Sequence, residues 1–109
     1  MDVSEFKHIL TKVENIDVSE HVTDPKKGRD ITKEEVLTFI RNKLEKLDFI
    51  EEQNSLIGQK YRLIFNRSNV YYLNLICVLK DEQHLNVVTA YISNKKKIRL
   101  NEAWKRKHT

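Results

Sequence analysis

Residues 60–92 read KYRLIFNRSNVYYLNLICVLKDEQHLNVVTAYI, and this stretch constrains the fold more than any other. Three runs of aliphatic, β-branched and aromatic residues are interrupted by polar breaks at residues 66–69 and 80–84. Short polar breaks between such runs are hairpin loops. The spacing therefore predicts a three-stranded antiparallel meander, with strands near residues 59–65, 70–79 and 85–92. The middle run is apolar on both faces except at Asn74, as suits a strand with a partner on each side.

Alternation places Tyr61, Leu63 and Phe65 on one side of the first strand and Lys60, Arg62 and Ile64 on the other. In the third strand Leu85, Val87, Thr89 and Tyr91 share a face, opposite Asn86, Val88, Ala90 and Ile92. One face must meet the helices. From the other, Asn74, Arg62 or Lys60, and Thr89 or Tyr91 are the candidates to project. A single β-bulge inverts such an assignment, so alternation alone leaves the faces open.

The chain before the meander supplies cover. Phe6, Ile9, Leu10 and Val13 recur at helical spacing within residues 2–14, with Asp2 or Ser4 as cap and His8 off the apolar stripe. Residues 15–30 are polar and irregular. They hold a Pro-Lys-Lys-Gly turn and two chemically useful side chains, His21 and Arg29, while Val18 and Val22 anchor a short extended piece. Residues 32–47 form a second helix. Its Thr32-Lys33-Glu34-Glu35 start is a capping box, and Val36, Leu37, Phe39, Ile40, Leu44 and Leu47 form its stripe. Residues 48–53 are a short edge strand or a link, and 54–58 a turn. After the meander, Ile98 and Leu100 allow a last short strand, and Asn101 caps a short basic helix. Its Trp104 docks on the body or stacks on a base. The expected fold is α+β: two N-terminal helices on an antiparallel meander of three to four strands, then a short C-terminal basic helix.

At 109 residues the chain has single-domain length, divided into a core over 1–94 and a basic segment over 95–109. No apolar run approaches the ~20 residues of a membrane span. The N-terminus carries acids where a signal peptide carries bases. A cytoplasmic protein without membrane contact is expected. Cys77 stands alone, without a disulfide or zinc partner, and reads as a small buried hydrophobe. The histidines lack metal-ligand spacing, and Glu34/Glu35 and Glu51/Glu52 are adjacent and point apart. No cofactor or metal is expected.

The charge is unevenly spread. The net charge is +4, yet Lys95, Lys96, Lys97, Arg99, Lys105, Arg106 and Lys107 face only Glu102 within the last fifteen residues. A block of this kind attracts polyanions and releases their counterions.

Several local strings carry a resemblance. Ser19-Glu20-His21 is followed by Arg29-Asp30-Ile31-Thr32 running into a capped helix, then Lys60-Tyr61-Arg62, then Val87-Val88-Thr89-Ala90-Tyr91. Over residues 18–92 the chain resembles the small proteins of the barnase–EndoU–colicin–RelE group. It is closest to a subgroup of uncharacterised domains with a His, an Arg before an Ile-Ser/Thr helix start, and a final Val-Val-Thr-x-Tyr strand. The Ala that usually follows the His is Val22 here. The resemblance implies a metal-independent endoribonuclease of toxin type, in which a ribose 2′-hydroxyl attacks the neighbouring phosphodiester. Such chemistry needs a base, an acid and cations around the charged transition state. It implies His21 as acid or base, Arg29 and Arg62 on the phosphate, Lys60 as a second cation, and Thr89 or Tyr91 as hydroxyl donors. His84 is a weaker candidate. The implied partners are RNA and an acidic antitoxin-like protein, the chain itself being a monomer or homodimer.

Two other classes fit the same residues. One is a non-enzymatic nucleic-acid-binding protein that uses the basic segment with Tyr71, Tyr72 and Trp104. The other is a protein-interaction module that pairs through a sheet face or an edge strand.

Overall fold

The computed structural model describes residues 2–23, 31–53 and 59–95, apart from the side chains of His21 and Thr23. Arg29, Lys96, Lys97, Arg99, Lys105, Arg106 and Lys107 lie outside the described residues. So do the expected C-terminal basic helix with Trp104 and the turns at 25–28 and 54–58.

The chain runs α1 (Val3–Lys12), β1 (Asn15–Val18), a short 3₁₀ helix (Glu20–Thr23) and α2 (Lys33–Asn42). A second 3₁₀ turn (Leu44–Lys46) leads to β2 (Leu47–Gln53), β3 (Gln59–Asn66), β4 (Tyr71–Asp81) and β5 (His84–Asn94). The fold is α+β, with helices beside one multi-stranded sheet. β2 to β5 form an antiparallel meander, and β1 adds in parallel to β5, giving the order β1-β5-β4-β3-β2.

Two expectations are corrected. The sheet has five strands among the described residues, not three or four, and β1 separates the two helices. β1 is only four residues long, too short for its alternation to stand out, and tertiary pairing decides it. The Glu14 and Asn15 N–H groups donate to the Gln83 carbonyl (3.2 and 2.9 Å), and the Ser19 N–H to that of Val87 (2.9 Å). The second correction is the length of α2, which ends at Asn42 rather than near Leu47. The apolar spacing continues to Leu47, but Leu47 pairs with Phe65 as the first residue of β2.

Both helices have a side-chain N-cap, Asp2 rather than Ser4 for α1 and Thr32 for α2, but only half of the expected capping box forms. Asp2 accepts from the Glu5 N–H (2.8 Å) and Thr32 from the Glu35 N–H (3.1 Å). The Glu35 carboxylate takes the Arg67 Nε–H (2.6 Å), tying the start of α2 to the β3–β4 hairpin. At the other end of α2, Arg41 donates to the carbonyls of Val13 and Glu14.

One face of the sheet makes the core. Phe6 and Leu10 of α1 and Val36, Phe39 and Ile40 of α2 pack with Leu63, Phe65, Leu73, Leu75, Leu85 and Val87. Phe6 meets the Tyr61 ring at 4.7 Å and Phe39 the Phe65 ring at 5.4 Å. Val22, fully buried, brings the first 3₁₀ helix to this same side.

The register of β5 resolves the question of faces. Ile76 pairs with Thr89 but Cys77 pairs with Val87, so Val88 is an extra residue, a β-bulge. Val87 and Ala90 therefore both enter the helix-side core. Thr89 and Tyr91 turn to the second face, beside Arg62 and Asn74. Uninterrupted alternation would have put Thr89 and Val87 together.

Candidate functional site

The second face of the sheet is built in cross-strand rows. Glu51, Arg62, Ile76 and Thr89 are successive register partners, as are Phe49, Ile64, Asn74 and Tyr91. Lys60 precedes Arg62 by two residues and shares its side. Phe49, Ile64 and Tyr72 form a small apolar cluster at one end, with the Phe49 and Tyr72 rings edge to face at 5.9 Å. Neither helix contributes to that cluster.

Asn74 is the centre of this face. It is the buried polar residue of the sheet, with no exposed surface. Such a group is costly unless hydrogen-bonded, and here it is. Its Oδ1 accepts from Arg62 Nε–H (3.1 Å) and Nη2–H (3.0 Å), and its Nδ2 donates to Ser93 Oγ (2.7 Å). Two bonds to one acceptor fix the plane of the guanidinium. Held so, Arg62 lies over the Tyr91 ring, 5.8 Å from its centroid, and its Nη1 points to Glu51 Oε2 at 3.4 Å. A guanidinium over an aromatic face gains from the ring quadrupole.

A second cation–aromatic pair lies nearby. Lys95 sits 5.2 Å from the centroid of Tyr72 and donates from Nζ to Asn66 Oδ1 (2.8 Å). Its N–H also donates to the Val70 carbonyl (2.9 Å). Lys95 is the first base of the C-terminal block, so the block begins at this face. At the adjoining β3–β4 hairpin, Val70 and Tyr71 are the exposed large apolar side chains.

Of the residues singled out in the sequence, Arg62, Thr89, Tyr91, Lys60 and Lys95 share the second face. His21 belongs to the 3₁₀ helix whose Val22 is in the helix-side core, and its own side chain lies outside the described residues. His84 is at the β4–β5 hairpin, where its Nδ1 meets Asp81 Oδ2 at 3.1 Å. The Gln83 N–H and His84 hold the Asp81 carboxyl below its ordinary value. Cys77 faces the core, and burial pushes its thiol up to about 12. Tyr61, also in the core, is raised by burial and by the charge of Glu52. Among the described residues no three His, Cys, Asp or Glu side chains converge as metal ligands would, and no described helix is long and apolar enough to cross a membrane.

Glu51 and Ser93 were missed as participants. The sequence offers Glu51 only as half of an acidic pair, and its role appears once β2 is set against β3. Ser93 has no sequence signal beyond its even spacing from Tyr91.

Set against known protein families, curated proteins and solved structures, the chain matches none. Its functional reading therefore rests on its own residues.

Proposed function

We propose that this chain binds single-stranded nucleic acid, RNA by preference, on the second face of the sheet. One observation carries the reading: three cations and two tyrosines occupy a single face, with Arg62 over Tyr91 and Lys95 over Tyr72. Cations track a phosphate backbone, and aromatic rings accept bases whatever their identity. The basic block that starts at Lys95 extends the same charge.

Cleavage, which the resemblance implies, is the lesser reading. It needs a proton acceptor within reach of a ribose hydroxyl. Arg62, Lys60, Thr89 and Tyr91 supply charge and hydroxyls on one face, while the 3₁₀ helix that carries His21 packs by Val22 into the helix-side core. The grouping favours holding RNA over cutting it.

Titration of a fluorescent oligouridylate by anisotropy at several salt concentrations tests both. Each cation that neutralises a phosphate of a single strand adds about 0.7 to the slope of log K against log salt. Lys60, Arg62 and Lys95 alone account for a slope of about −2. The double variant Lys60→Ala/Lys95→Ala should flatten it by about 1.4. A slope unchanged in that variant refutes the placement of the site. Products on a denaturing gel in the presence of chelator would restore the cleavage reading.

A further inference from the structure

Arg62 is the most constrained cation on the second face, and its surroundings are lopsided. Two of its N–H groups are fixed on Asn74 and its ring-facing side lies over Tyr91. The Nη1 edge is what remains to meet a ligand, and a carboxylate stands there. Glu51 Oε2 is 3.4 Å from Nη1, a long contact beside the ~2.7–2.9 Å of a good charge-assisted bond. The two side chains keep 36% and 22% of their surface exposed, so this edge is within reach of a dissolved anion. Glu51 is directly opposite Arg62 in register, on β2, the outermost strand of the meander. A carboxylate and a phosphate present the same paired oxygens to a guanidinium.

Resting on the nucleic-acid reading above, we propose that the Nη1 edge of Arg62 is a phosphate subsite and that Glu51 is its built-in competitor. Glu51 covers the edge in the free protein, and a phosphodiester oxygen takes its place on binding. Asn74 acts as the positioning residue, because it holds the guanidinium in one plane through the exchange. Affinity at this point is the difference between two anions for one cation, and the protein carries one of them. The device keeps a solitary phosphate from binding well, while a strand that also engages Lys60, Lys95 and the tyrosines displaces Glu51.

Glu51→Gln tests this, because the amide keeps the shape of the side chain and one acceptor oxygen while removing its charge. Glu52→Gln is the control. It makes the same charge change one residue along, at a position paired with Tyr61 and so on the helix side. With the full chain and a labelled oligouridylate at low salt, Glu51→Gln should tighten binding roughly threefold to tenfold. Glu52→Gln should change it by less than about twofold, since screening separates the two faces. In an Arg62→Gln background, Glu51→Gln should confer no gain. Equal gains from both acid variants, an unchanged affinity in Glu51→Gln, or a gain that survives in the Arg62→Gln background each overturn the competitor role while leaving RNA binding intact. If neither the wild type nor Glu51→Gln binds the probe, the binding reading falls and the competitor role with it.

Discussion

Replacing Asn74 by Leu would show whether this face is organised around one buried amide. Leu branches at the same carbon and fills similar space, so the backbone of β4 is not directly strained. What is lost is polar. Arg62 loses the acceptor of two N–H groups at 3.0–3.1 Å, and Ser93 loses a partner at 2.7 Å. Hydrogen bonds to a charged group are worth about 1.5–3 kcal/mol net, and the bond to Ser93 about 1 kcal/mol. The apolar Leu side chain returns about 1–2 kcal/mol by its own burial. Arg62 stays part-buried, with Glu51 as its remaining acidic contact at 3.4 Å. With the two Arg62 bonds counted as one interaction because they share one acceptor, the expected net loss is about 0.5–3 kcal/mol, or roughly 3–20 °C in Tm for a domain of this size. Urea unfolding followed by far-UV circular dichroism measures it as a shift of midpoint at constant slope. The double variant Asn74→Leu/Arg62→Leu removes donor and acceptor together. It should be less destabilised than the sum of the single variants by at least about 1 kcal/mol. A loss below about 0.5 kcal/mol for Asn74→Leu, or strict additivity in the cycle, would refute the view that Asn74 is held by Arg62.

Two further outcomes follow from the fold. Thr32→Ala should cost about 1 kcal/mol in the same urea assay, because the exposed Thr32 hydroxyl caps α2 through the Glu35 N–H; restoration by Thr32→Ser but not by Thr32→Val would identify the cap as the cause. Cys77 has a folded pKa above its ordinary 9.0, at about 12. The folded protein thus holds that proton more tightly than the unfolded chain. The contribution is whole below pH 9 and is lost as pH rises towards 12, at up to about 1.4 kcal/mol per unit. Cys77→Ala should flatten this alkaline decline, and a decline equally steep in the variant would assign it elsewhere.

Much of the architecture can be read along the chain because it is local. Apolar spacing and caps define both helices, and the two polar breaks define the meander. These are properties of a dozen residues at a time. β1 is different. Its four residues have no pattern strong enough to call for a strand, and they become one only because the edge of β5 offers unpaired groups. The end of α2 is decided the same way, since Leu47 satisfies the helical period and the sheet claims it.

The candidate site divides along the same line. The sequence marked Lys95 through the basic block, and Arg62, Lys60, Thr89 and Tyr91 through the strings that carry the resemblance. It could not place them together. That depended on Val88, whose bulge rotates Thr89 and Tyr91 onto the face of Arg62. Nor could it show that the segment around Val22 packs on the helix side, since a short polar segment carries no record of the side on which it will pack. Periodicity reports neighbours along a strand, whereas which strands meet, and on which face, is set by pairing between residues far apart in the chain.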